Sequence, residues 1–250
     1  MSLVIARNEW RRLFVQPLAW VLLAAVLAML AYFFLLTLQG FLVLMPKIAG
    51  NPAAPGVTDL VALPLLRAIA SVLLLIVPLL GMRAFAGDRQ SGSLPLLLSA
   101  GLSDAQIVLG KYLGLVAFLA LLIALALAMP LSLDVATSLD FGRIGAAALG
   151  LMLFAGALAA LAVCASVFAQ QPAVAAGLAL VLNILLWMLD AGARYEGVTS
   201  SFVNYLTLPT HLEPFLHGIV ATVDIVYFVL LSAVALALAT RRLAASRERG

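Results

Sequence analysis

The chain has 250 residues, of which 65% are hydrophobic and 10% charged, with a formal net charge of +3. A soluble domain carries about 25% charged and 45–50% apolar residues. The composition therefore excludes a water-soluble globular protein. The single cysteine, Cys164, excludes an intramolecular disulfide.

The first predicted element is a helix over residues 1–16 that lies in the membrane interface. Its apolar residues recur every three or four positions, between the charged residues Arg7, Glu9, Arg11 and Arg12. This pattern is typical of an amphipathic helix with its charges in water and Trp10 at headgroup depth. The uncharged run over 18–38 is long for a signal peptide, so we expect a retained span.

Six apolar runs are long enough to cross the bilayer as helices, which takes about 20 residues. Strands of a membrane barrel would be about 10 residues long and would alternate apolar with polar residues. These runs are continuous and rich in Leu and Ala. We therefore predict an all-α membrane protein, a single transmembrane domain over 1–250, with spans over residues 18–38, 60–82, 107–133, 144–168, 173–189 and 218–240.

The distribution of Lys and Arg predicts that both termini are cytoplasmic. Most basic residues lie in the N-terminal segment, in the connection between spans two and three, and in the C-terminal tail, whereas the opposite connections hold Lys47, Arg143 and Arg194. Basic residues are enriched on the cytoplasmic side of membrane proteins. An even number of spans independently requires both termini on one side.

Motifs for hydrolysis are missing from the sequence. The phosphate-binding loop G-x-x-x-x-G-K-[ST] is absent, because Gly110-Lys111 is followed by Tyr112 and the earlier glycine is missing. No H-E-x-x-H motif and no Cys cluster occur either. The chain is therefore not expected to hydrolyse a nucleotide or a peptide by itself.

The connection between spans two and three, residues 82–111, is the most informative segment. It contains the charged residues Arg83, Asp88 and Arg89, a break at Gly92 and a short apolar helix predicted from Ser93 to Leu98. Ser103 with Asp104 is a typical N-terminal cap of the next helix. The apolar patch of the short helix consists of Leu94, Leu96, Leu97 and Leu98. Such a patch rimmed by charge suits a partner protein or, alternatively, a helix resting on lipid headgroups.

This segment resembles the region after the second span of type-2 ABC transporter permeases. That family has M-R-x-F-A-x-[DE]-R-x-x-G-[ST]-L-E-L-L-L before S-D-x-x-I-V-L-G-K, and this chain reads MRAFAGDRQSGSLPLLLS at 82–99 and SDAQIVLGK at 103–111. Residues 8–20 resemble the family's opening. Residues 211–220, with Asp224 and Tyr227-Phe228, resemble the gliding-motility-like branch. Pro95 replaces the family's usual acidic residue, so no role of that carboxylate transfers to this chain.

The resemblance implies that the short helix is a coupling helix seated in a groove of a separate cytoplasmic ATPase. The working unit would contain two permeases, either two copies of this chain or this chain and a paralogue, in the bacterial inner membrane. It would export a substrate, with ATP and Mg bound by the ATPase, no cofactor on this chain and no nucleic-acid partner. The implied coupling residues are Arg83, Asp88, Arg89, Gly92, Ser93, Leu94, Leu96, Leu97, Leu98, Ser103 and Asp104.

Charged residues within or near the spans allow two further interpretations. Arg67 in span two either extends to the interface or pairs with Asp224 at the start of span six. His211, Glu213 and His217 are either solvated residues or metal ligands. A metal site usually needs three or four converging ligands, and the sequence predicts none.

Other function classes remain as alternatives. An ion-coupled secondary transporter would place polar or acidic residues in broken helices near the midplane, and these spans are mostly bare of charge. A non-transporting scaffold would use the patch at 94–98 for another partner. An intramembrane enzyme is the weakest alternative, because no catalytic set stands out. The substrate stays open among lipids, lipoproteins, hydrophobic polymers and metal-linked cargo.

Overall fold

The computed structural model describes residues 2–15, 17–48, 56–99, 101–135, 137, 139–195 and 205–247. Its regular elements within these ranges are helical. They are α1 (Ser2–Val15), α2 (Pro17–Ile48), α3 (Leu63–Gly81), α4 (Ala86–Gln90), α5 (Leu94–Ser99), α6 (Asp104–Leu131), α7 (Phe141–Phe168), α8 (Pro172–Tyr195), α9 (Leu208–Leu216) and α10 (Thr222–Arg247). A π-helical turn, Thr58–Ala62, leads into α3, and a 3₁₀ turn, Ser132–Val135, follows α6.

Six of these helices, α2, α3, α6, α7, α8 and α10, are long and apolar enough to cross a membrane. This confirms the predicted all-α membrane fold with six spans. The sixth span begins at Thr222 rather than at residue 218, because a turn and an extended connection follow α9. The second begins with the π-helical turn and ends at Gly81, where a turn replaces the continued helix.

Helix α7 is the centre of the bundle. It packs against α3, α6, α8, α9 and α10, and it is the most buried of the six spans. Its buried face is rich in small residues, including Ala155, Gly156, Ala159 and Ala160. Small side chains let helix backbones approach closely in a membrane, where dispersion contacts drive helix association. The outer helices α2 and α8 are the least buried spans and present exposed apolar faces.

Helix α1 packs along the first half of α6 and approaches it closely at Gly114. A Cβ atom at Gly114 would lie 2.8 Å from the Cβ of Glu9 and 3.1 Å from the backbone oxygen of Ala6. Only glycine fits this spacing without a shift of α1. The amphipathic N-terminal helix is therefore attached to the third span by its backbone as well as by its side chains.

We expect Gly114→Ala to destabilise the protein by about 1–3 kcal/mol, because the added methyl group overpacks the α1–α6 contact. Thermal unfolding in detergent measures the effect as a lower Tm. Gly177→Ala is the matched control, since a Cβ atom at Gly177 meets nothing within 4 Å. An equal Tm for Gly114→Ala and the wild type would contradict this account of the contact.

Candidate coupling site

The predicted coupling residues lie at one end of the bundle, which we call the basic end. Helices α3, α7 and α10 finish there, α6 and α8 begin there, and the short helices α4 and α5 connect α3 to α6. The start of α6 at this end also contacts α1. The basic end therefore brings together segments that are far apart in the sequence.

The turn between α3 and α4 is attached to the end of α7. The hydroxyl of Ser166 accepts hydrogen bonds from the backbone N–H groups of Phe85 (2.9 Å) and Ala86 (3.0 Å), and it donates to the Met82 carbonyl (2.9 Å). Ser166 is fully buried. One hydroxyl thus satisfies three backbone groups of a turn that would otherwise leave them unpaired in an apolar interior.

Arg89 adds a second attachment of α4 to α7. Its Nη1 atom donates to the carbonyl oxygens of Val167 (2.7 Å) and Ala169 (2.8 Å). The last carbonyls of a helix lack partners within the helix, and the negative end of the helix dipole favours a cation there. The predicted coupling residue Arg89 is therefore a C-terminal cap of the central span.

A group of four charged side chains, which we call the charge cluster, connects α1, α4 and α6 around the buried residues Lys111 and Asp88. The Nζ atom of Lys111 lies 2.6 Å from Oε1 of Glu9 and 2.6 Å from Oδ2 of Asp88. The other Asp88 oxygen, Oδ1, accepts a hydrogen bond from Arg12 at 2.7 Å. The Lys111 side chain is 1% exposed and that of Asp88 is 5% exposed.

The balance of opposite charges in the charge cluster explains how Lys111 and Asp88 can be buried. Two carboxylates face two cations, and Arg12 also lies 3.8 Å from Glu9. Each ion taken out of water costs several kcal/mol, which short hydrogen bonds and opposite charge must offset. The Lys111 ammonium also lies 5.2 Å from the centre of the Phe85 ring, in reach of a cation–π contact.

Arg12 stays charged in this setting. Burial alone would lower the pKa of Arg12, but the hydrogen bond and charge of Asp88, together with the charge of Glu9, raise that pKa above its usual value. Arg12 therefore remains a counterion of Asp88 throughout the physiological pH range.

Helix α5 follows a tight turn at Gly92, which has a φ of +70°. This left-handed conformation favours glycine, and it lets the Ser93 N–H reach the Asp88 carbonyl at 3.0 Å. The backbone of Asp88 thus positions α5 while its side chain joins the charge cluster. The short helix begins one residue later than predicted and extends to Ser99.

The leucines of α5 do not form one exposed patch as predicted. Leu94 is 7% exposed and Leu97 packs against the core, whereas Leu96 is 74% exposed. Residues three apart lie on the same helix face, so Leu94 and Leu97 turn together toward the bundle. Leu98 also lies in α5. The exposed apolar surface is thus smaller than expected, and Leu96 is its clearest member.

The predicted cap at Ser103 is confirmed. The Ser103 hydroxyl accepts a hydrogen bond from the Gln106 N–H, and the Gln106 side chain accepts one from the Ser103 N–H, both at 3.3 Å. This reciprocal pair is a capping box. The neighbouring Asp104 lies 3.3 Å from Arg247, near the end of α10. The last helix therefore contacts the connection between α5 and α6.

The sequence analysis selected Asp88 as a site residue but did not select the other members of the charge cluster, Glu9, Arg12 and Lys111, or Ser166. A signal was present in the sequence for some of them. Lys111 is charged within a run that is otherwise apolar, and Glu9 and Arg12 are three residues apart on one helix. Ser166 carried no signal beyond its small size. The predicted coupling residue Arg83 is exposed at the same end.

Of the two interpretations of Arg67, the pair with Asp224 is not formed. Arg67 instead makes a two-point contact with Glu213, from Nε at 3.0 Å and from Nη2 at 2.9 Å. The Asp224 carboxylate lies 2.6 Å from Nδ1 of His211. Helix α9 contacts both α3 and α10, and its polar residues supply a nearer partner for each charge.

His211 is buried beside α10 rather than solvated. Its Nε2 atom lies 2.8 Å from the Tyr205 carbonyl, and its ring stacks on Tyr227 at 3.9 Å between centroids. Both ring nitrogens therefore have a polar partner within the protein. Glu213 and His217 face the arginines Arg67 and Arg143 instead. Among the described residues, no group of three or more His, Cys, Asp or Glu is placed to hold a metal ion.

We expect Lys111→Met to destabilise the protein by about 3–5 kcal/mol, because it leaves the buried carboxylate of Asp88 and the partly buried one of Glu9 with only Arg12 as counterion. Thermal unfolding in detergent measures the loss. The double variant Lys111→Met/Asp88→Asn should lose less than Lys111→Met alone. As a control, Asp104→Asn removes a more exposed pair and should cost less than about 1 kcal/mol. Similar losses for Lys111→Met and Asp104→Asn would contradict the burial argument.

The sequence matches the family described as ABC-2 family transporter protein over residues 44–240. This range covers α3 to α9 and most of α10, including Asp88, Lys111 and all of α5. A comparison with curated proteins gives no match. The family consists of multi-pass membrane permeases, not of nucleotide-hydrolysing enzymes. The match, the six spans and the short helix after the second span agree, and the chain belongs to the ABC-2 family of transporter membrane proteins.

Proposed function

We propose that this chain is the permease subunit of an ATP-driven exporter and that α5 is the helix that engages a separate cytoplasmic ATPase. The observation that carries the proposal is an exposed leucine, Leu96, on a short helix that is held between two spans. Membership in the ABC-2 family supports it, since such permeases in general work with an ATPase subunit. ATP and Mg would be bound by that subunit, and this chain would bind no cofactor.

The contacts of α4 suggest how a displacement of α5 would be transmitted to the membrane-spanning helices. The Asp88 backbone holds the start of α5, and the Asp88 side chain joins the charge cluster with α1 and α6. Arg89 and Ser166 join the same segment to α7. A displacement of α5 would therefore move α6, α1 and α7 together. Nucleotide on the ATPase would favour one packing of the spans over another and so shift its population.

The other features of the proposed assembly are inferred from the distribution of basic residues and from membership in the family. Both termini and the basic end would face the cytoplasm of a bacterial cell, with the protein in the inner membrane as one domain. A second copy or a paralogue would complete the permease pair. The resemblance of residues 211–220, Asp224 and Tyr227 supports a place in the gliding-motility-like branch, and His211 contacts both Asp224 and Tyr227.

The leading proposal predicts that Leu96→Glu abolishes co-purification with the ATPase encoded beside this permease, because a charge replaces the exposed apolar contact. Co-purification in mild detergent measures the interaction. Leu96 is a better target than Leu97, whose packing against the core would confound binding with folding. Ile219→Glu is the matched control, since Ile219 is equally aliphatic, exposed and at the opposite end of the bundle.

Two results would count against the coupling role of α5. In one, the ATPase binds the Leu96→Glu variant as well as it binds the wild type. In the other, no ATPase binds the wild type, and the scaffold and ion-coupled alternatives then become stronger. Loss of binding in both Leu96→Glu and Ile219→Glu would indicate a general folding defect, which size-exclusion profiles of the two variants distinguish.

The proposed orientation predicts which added cysteines react with a membrane-impermeant maleimide in intact cells. In a Cys164→Ala background, Ile219→Cys should be labelled from outside and Ser246→Cys only after the cells are opened. Ile219 lies at the opposite end and Ser246 at the basic end. The reverse labelling pattern would place the termini outside the cytoplasm.

A further inference from the structure

A cleft of about 890 Å³ opens at the basic end, outside the charge cluster. It lies between the turn after α3, the connection from α7 to α8 and the last turns of α10. Among the described residues that line it are three arginines, Arg83, Arg89 and Arg242, and neither aspartate nor glutamate. Gln170 and Gln171 add neutral polar groups. The cleft therefore concentrates positive charge that its own described walls do not neutralise.

The arginines of the cleft are arranged to receive an anion. Arg89 and Arg242 both line the cleft beside the end of α7, so a bound anion would lie near two positive charges. Arg89 is held by the carbonyls at the end of α7, and Arg242 lies over the Phe168 ring at 5.5 Å from its centroid. Guanidinium groups held in this way present fixed donors that match the geometry of phosphate oxygens.

Apolar stripes lead away from the cleft along two helices. On α10, the exposed aliphatic residues nearest to Arg242 are Leu238 and Val234, four and eight residues before it. On α8, exposed aliphatic residues begin at Val174, next to Ala173 of the cleft, and continue at Leu178 and Leu182. Residues four apart are neighbours on one helix face. A ligand in the cleft would thus meet cations at one end and continuous apolar surface at the other.

We infer that this cleft binds the phosphate of an anionic phospholipid from the leaflet at the basic end, with the acyl chains along the stripes of α8 and α10. Basic pockets between spans are suited to anionic headgroups because fixed cations and the surface potential act together. The apolar stripes favour a lipid over a soluble phosphate compound. The inference does not depend on the coupling role of α5, since neither Leu96 nor the charge cluster takes part.

Native mass spectrometry of the full chain in detergent tests this site. Titration with phosphatidylglycerol should give tighter binding than titration with zwitterionic phosphatidylcholine. Arg242→Gln should weaken phosphatidylglycerol binding about fivefold, the effect of one cation near a membrane surface. Arg241→Gln is the matched control, because Arg241 is the exposed neighbour in the sequence and does not line the cleft. Arg242→Lys, which keeps the charge, should bind more tightly than Arg242→Gln.

Several outcomes would overturn the inference. Equal binding of the two lipids, or equal losses in Arg242→Gln and Arg241→Gln, would show no specific site. Glycerol phosphate that binds as tightly as the lipid and displaces it would assign the cleft to a soluble phosphate. Unchanged lipid binding in Arg242→Gln, combined with loss of the ATPase, would assign the cleft to the partner protein. Should Arg242→Gln aggregate, Arg83→Gln tests the same claim at an exposed arginine of the cleft.

Discussion

The contact of Lys111 with Asp88 and Glu9 is the constraint on which the basic end depends. An ammonium group that is almost fully buried in an apolar bundle is stable only if carboxylates stay within hydrogen-bonding distance. One carboxylate belongs to α4 and the other to α1. The third span, α6, therefore cannot move relative to either helix without leaving a buried charge without its partner. Arg12 extends the same requirement, since it completes the pairing of Asp88. Three helices are thereby held in one arrangement by four side chains.

The charge cluster also fixes the position of the short helix α5, because the Asp88 side chain joins the cluster and the Asp88 backbone holds the start of α5. It is too short to be stable alone, since isolated helices below about 12–15 residues are marginal in water. Its stability must come from Leu94 and Leu97 against the bundle and from the Asp88 backbone at its start. The same segment is attached to α7, the most buried span, through Ser166 and Arg89. A partner that binds Leu96 would thus act on α4 and α5, which are attached to the spans both through the charge cluster and through α7.

The basic end uses arginine and lysine in two physically different ways. In the charge cluster Lys111 is buried, Arg12 is partly exposed, and each has a carboxylate, because an unpaired ion in the bundle would be too costly. In the cleft, three arginines share an open space without an acidic partner among the described residues. An open site tolerates unpaired cations because water and ions screen them. The first arrangement holds helices together, and the second leaves positive charge available for a ligand.

The number of spans, the short helix after the second span and the cap at Ser103 were all predictable from the sequence. Each depends on local physics: a spanning helix satisfies its own backbone hydrogen bonds, and a cap involves residues three apart. The pairing of charges was not predictable in this way. Glu9 and Lys111 are separated by 102 residues, and Arg67 and Glu213 by 146. The sequence showed that these charges needed partners. Only the packing of α1 on α6 and of α9 beside α3 decided which residues those partners are, because a side chain pairs with the opposite charge that the tertiary structure brings within about 3 Å.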